Sequence, residues 1–103
     1  MANRLTTNPI YIDTWTSDIL LNDGKPLHVR KIRLLSAAEG DIFAFDRPDN
    51  LAEQIFYMLQ EEQSKVSEVD FGDDGFIFND GVTIDVSDCT GLGSGDVAWI
   101  YKK

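Results

Sequence analysis

The chain has 103 residues, 43% of them apolar, with eighteen acids against nine basic residues and a formal net charge of −9. That length suits one domain with a single core that needs no staples. One cysteine, Cys89, and one histidine, His28, exclude an intrachain disulfide and a cysteine–histidine zinc site. No apolar run approaches the roughly 18 residues of a membrane span.

The charge is uneven. Residues 1–51 hold seven acids and six bases, whereas residues 52–103 hold eleven acids and three bases. Lys25, Arg30, Lys31 and Arg33 form a basic stripe with no acid among them. The overall balance argues against direct nucleic-acid binding, which needs net positive surface. Residues 1–8 carry no hydrophobic stretch of the kind found in a secretory signal. They read as an extended N-terminal arm ending at Asn8-Pro9, with one β domain over residues 9–103.

In chain order, Ile10 to Asp13 is a first short strand with Ile10 and Ile12 on one face. Thr14 to Gly24 is polar around Trp15 and Ile19 to Leu21, and it ends in Asn22-Asp23-Gly24-Lys25-Pro26, a strong turn signal. Leu27 to Leu35 is a strand in which Val29 is out of phase with Ile32 and Leu34. A bulge near Arg30-Lys31 would bring all three inward. Asp41 to Asp46 is a strand with Phe43 and Phe45 on one face, stopped at Pro48.

Leu51 to Gln63 is ambiguous. Asp49 or Asn50 is a possible helix N-cap, and Leu51, Ile55, Met58 and Leu59 fall at helical spacing, so propensity favours a helix. A strand would put Leu51, Ile55, Tyr57 and Leu59 on one face and Phe56 and Met58 on the other. Val66 to Phe71, Phe76 to Phe78 and Val82 to Val86 are further strands. Three glycines between Gly91 and Gly95 make a tight turn. The closing strand, Val97 to Tyr101, is apolar on both faces and reads as covered on both sides. The expectation is an all-β antiparallel sandwich or barrel of about 7–8 short strands, with a possible short helix in 51–63.

No catalytic signature emerges. Asp70-x-Gly72-x-Asp74-Gly75 opens like a calcium loop, but its third position is Gly72 and its twelfth Gly81, so an EF-hand fails. Asp70, Asp73, Asp74 and Asp80 read as solvated turns; no metal site and no cofactor is expected. Cys89 has no motif around it that would make it a nucleophile, and His28 reads as an edge or surface residue. Gly91 to Gly95 lacks the Gly-Lys-Ser/Thr ending of a phosphate loop. Trp15, Tyr57, Trp99 and Tyr101 would suit sugar stacking, yet core packing accounts for Trp99. Trp15, in a polar segment, is the better surface candidate for a sugar or a protein neighbour.

Three stretches together resemble a family of small structural proteins of tailed-phage virions. They are Pro9 to Thr14; Val29 to Leu34 with Gly40 to Asp46; and Gly91-Leu92 followed by Ser94 to Tyr101. The resemblance implies a non-enzymatic, capsid-decorating (cement) protein that binds the outer shell and stabilises it. It also implies a strand over Leu51 to Gln60, a major capsid protein as partner, a homo-oligomer (dimer or trimer), and a virion location after synthesis in the host cytoplasm. No membrane partner is expected. A head–tail or fibre-attachment component, or a carbohydrate-binding β-sandwich module, is the alternative. The candidate contact residues are Arg4, Leu5, Trp15, Arg30, Lys31 and Arg33.

Overall fold

The computed structural model describes residues 3–22, 24–48, 50–60, 65–93 and 95–103, and for residues 50–52 the backbone alone. Among the described residues nine strands run in chain order: β1 (Ile10–Ile12), β2 (Ile19–Leu21), β3 (Leu27–Leu35), β4 (Ile42–Arg47), β5 (Asn50–Leu59), β6 (Val66–Asp70), β7 (Phe76–Phe78), β8 (Val82–Ile84) and β9 (Val97–Lys102). They form two antiparallel sheets. The first has the order β1-β9-β3-β6, with β7 also paired to β3; the second has the order β2-β8-β4-β5. The two inward faces share one apolar core from Ile10 to Ile100. Phe43, Phe45, Ile32, Leu34, Val82 and Ile84 are fully buried there. An aromatic chain crosses it, with Trp15 edge-on to Phe43, Phe43 to Phe45, and Phe45 to Phe78. The fold class is an all-β sandwich.

The bulge expected in the second long strand is present. The β3–β9 register shifts between Val29 and Lys31. Arg30 and Lys31 both face outward, and Val29, Ile32 and Leu34 are all buried.

Four expectations need correction. The ambiguous segment is a strand, not a helix. Phe45 pairs with Phe56 and Phe43 with Met58, so core contacts across β4 outweigh helical propensity. Asp49 and residues 61–63 lie outside the described residues. The strand count among the described residues is nine, one more than expected, because β2 sits in the Thr- and Asp-rich stretch, where three apolar residues suffice once β8 pairs with them.

The segment read as an extended arm is tied to the domain over the residues described. Its described part, residues 3–8, folds back onto β1. Arg4 and Tyr11 exchange both backbone hydrogen bonds at 2.8 and 2.9 Å. The Asn3 carboxamide accepts from the amides of Asp13 and Thr14, and the Asn8 side chain bonds Lys102 through its carbonyl and amide. The Asn8-Pro9 peptide is cis. Finally, β9 is central in its sheet but covered on one face only. Ala98 and Ile100 are buried, while Val97, Trp99 and Tyr101 face outward and are half-buried.

Candidate functional site

Cross-strand register builds the outer face of the first sheet. Tyr11 lies opposite Trp99, Trp99 opposite Arg33, and Arg33 opposite Glu68. In the neighbouring row Tyr101 lies opposite Lys31, and Lys31 opposite Asp70. The rings of Tyr11 and Trp99 are 6.2 Å apart and tilted. Lys31 Nζ sits 4.9 Å from the Tyr101 ring centre, with the Arg33 guanidinium carbon at 5.9 Å. The Arg4 guanidinium carbon lies 5.9 Å from the Tyr11 ring. Arg33 Nε donates to Glu68 at 2.6 Å. The result is a ladder of cations and aromatic rings that presents both flat apolar area and positive charge.

The outer face of the second sheet is different. Asp46 and Thr83 are register partners there, as are Ala44 and Tyr57. The segment from Asp85 to Thr90 lies across β4. Thr90 accepts from the Ile42 amide, and the Cys89 sulfur sits against the Ala44 amide at 3.5 Å. Asp46 is thereby covered: its relative exposure is 0%, and neither carboxylate oxygen receives an N–H or hydroxyl donor among the described residues. One ligand atom each from Asp46, Asp85 and Asp88 lie within 4.8 Å of one another. The other charges acting on Asp46 come from Asp88, Asp85 and Asp18, all acids.

Burial first, then hydrogen bonding and like-charge repulsion from the Asp88 carboxyl, pushes the Asp46 carboxyl up to about 7, so at lower pH a proton is shared between the two. Asp85 moves the other way, below its usual value, because Ser87 hydrogen-bonds it; the Ser87 hydroxyl donates at 2.7 Å and its amide at 3.0 Å. Burial pushes the Cys89 thiol up to about 11, so it stays a neutral, inert thiol.

The acids of the calcium-like stretch do not converge. Asp70 accepts from the Gly72 amide at 2.8 Å, and Asp73, Asp74 and Asp80 are exposed. The His28 ring nitrogen contacts the Asp74 carbonyl at 2.6 Å; His28 lies within a strand paired on both sides, not at a sheet edge.

Trp15 is corrected from surface candidate to core residue. It is 9% exposed, packs edge-on against Phe43, and donates its indole N–H to the Asp96 carbonyl at 3.0 Å. It lines a groove of about 390 Å³ beside Tyr11, Gly93 and Val97, and most of its surface is buried in the core. Arg4, Lys31 and Arg33 are gathered on the ladder. Arg30 is exposed, and Leu5 is 37% exposed on the folded-back segment. Sequence reasoning assigned Trp99 to the core, weighed Tyr101 only for sugar stacking, did not join Tyr11 to either, and missed the Asp46 cluster altogether. Alternation from Ile100 and Ile10 would have placed the rings outward.

Comparison with known proteins returns no match, whether with family models, curated proteins or solved structures.

Proposed function

We propose that this chain is a non-enzymatic structural protein of a phage virion, a capsid-decorating protein that docks on the shell through the outer face of its first sheet. The observation that supports this reading is the ladder of Tyr11, Trp99 and Tyr101 with Arg4, Lys31 and Arg33. Aromatic rings and arginines are the side chains that contribute most to protein interfaces, and here they form one face. The sequence resemblance supplies the kind of partner, a major capsid protein. The carbohydrate alternative loses its main residue, because Trp15 is buried and the Tyr101 ring is flanked by Lys31 and Arg33.

Self-association has a suitable seam on the other sheet. β5 pairs only with β4 among the described residues, and it carries Ile55, Tyr57 and Leu59 exposed on one row. Tyr57 and Leu59 line a groove of about 290 Å³ with Ser67, Glu68 and Val69 of β6. An apolar edge strand of this length invites pairing with a second copy.

Co-expression with the major capsid protein of the encoding phage, followed by gradient sedimentation, tests the reading. The wild-type chain is expected to travel with the shells, and the triple variant Arg4→Ala/Lys31→Ala/Arg33→Ala to be lost from them. Shells that never carry the chain, or that carry the triple variant equally well, overturn it.

A further inference from the structure

The charge of Asp46 is unmet by the described residues. Two ionised carboxylates facing each other are both acceptors, so only a proton or a cation can join them. Buried carboxylates are ordinarily paired, hydrogen-bonded or bound to a metal. Asp46 is fully buried, neither of its oxygens receives an N–H or hydroxyl donor among the described residues, and it faces only the carboxyl groups of Asp85 and Asp88, which complete the cluster. The three come from two separate parts of the chain, the end of β4 and the segment after β8. Asp18, just before β2, adds a fourth negative charge nearby and accepts from the Val86 amide at 3.1 Å.

We propose that Asp46, Asp85 and Asp88 bind a calcium ion that clamps the 85–90 segment onto the second sheet. Calcium takes carboxylate oxygens at 2.3–2.6 Å in a flexible shell, so its ligand oxygens stand up to about 5 Å apart. Ligand atoms that all lie within 4.8 Å of one another fit that span. The ligand set is all oxygen. The nearby Cys89 sulfur is turned to the Ala44 backbone, so nothing in the cluster favours zinc or another soft ion. Half-buried Asp85 and Asp88 leave a path from solvent, while Asp46 closes the inner side. The role is structural: the ion joins two pieces of chain that otherwise repel.

The test is calorimetric titration of the EDTA-treated full chain with calcium chloride, alongside thermal melts. Calcium is expected to bind with measurable heat and to raise the melting temperature by mass action. Asp46→Asn removes a buried ligand charge. It should lower calcium affinity on the order of a hundredfold, since affinity follows ligand charge, while the metal-free variant melts no lower than wild type. Asp88→Asn, at a half-exposed position, gives the same loss should Asp46→Asn fail to fold. Asp73→Asn, in an exposed turn, keeps the wild-type response. The proposal is overturned if the wild-type chain gives no calcium heat, or if Asp46→Asn and Asp88→Asn respond as wild type does. It is also overturned if magnesium, or sodium chloride at equal ionic strength, shifts the melt as much as calcium.

Discussion

Asp96 and Asp46 are both buried aspartates, and the chain treats them in opposite ways. Asp96 accepts the amides of Ala37 and Gly93 at 3.1 and 2.9 Å, and its own carbonyl takes the Trp15 indole N–H. Two backbone donors replace the water that burial removes, and the turn before β9 is tied to the β3–β4 connection. Asp46 has no such donors among the described residues and faces Asp88 and Asp85 instead. Burial depth is similar, 6% against 0%, so depth does not separate them. What separates them is the number of N–H groups aimed at the carboxylate. One aspartate serves as an internal hydrogen-bond hub, and the other is buried against two further carboxyl groups.

Substitutions should break this comparison in graded steps. Asp96→Ala carries the largest effect. It strands two amides and is expected to cost about 3 kcal/mol in denaturant unfolding, because charge-assisted bonds to buried groups are the strong ones. Gly91→Ala comes next. Gly91 has φ +84°, and an added Cβ would run into the Asp41 carboxylate. The combined strain and clash should cost about 2 kcal/mol.

Asp46→Asn changes the sign. In calcium-free buffer at pH 8 it should stabilise the fold by about 1–2 kcal/mol, because a buried, unpaired charge is replaced by a neutral amide. The pH dependence sharpens this further. The Asp46 carboxyl titrates near 7 when folded, against an ordinary value of 3.8, so the native state binds the extra proton between them. Stability of the metal-free chain therefore falls as pH rises through about 3.8 to about 7, then levels off. Asp18, Asp85, Asp88 and Cys89 face the same carboxyl. Asp85, held below its usual value, contributes in the opposite direction and only at lower pH. The Asp46→Asn variant should lose the fall between about pH 4 and 7, read by melts across that range. Arg33→Ala marks the small end. Its pair with Glu68 is solvent-exposed and should leave the melting temperature nearly unchanged, so a loss of shell binding there would report contact and not unfolding.

Much of the fold was legible because apolar alternation directly records which side of a strand is buried. Val29 out of phase with Ile32 announced the bulge, and Phe43 with Phe45 announced the core side of β4. β5 was hidden because Leu, Gln and Glu favour helices locally. Only the pairing of Phe56 and Met58 with β4 decides against that preference. β2 was hidden by its polar neighbours. The site was less legible. Trp15 in a polar stretch looks exposed until Phe43 and Asp96 are seen around it. The Asp46 cluster unites residues 39 and 42 positions apart in sequence. No spacing rule distinguishes those three among eighteen acids, and only their shared cover does.

Hydrogen exchange of the 85–90 amides, with and without calcium, tests the reading of Asp46 most directly. Slower exchange across Asp85 to Thr90 on adding calcium, absent in Asp46→Asn, is the predicted result. Unchanged exchange in that segment, in a wild-type chain shown to be free of other metal ions, would contradict it.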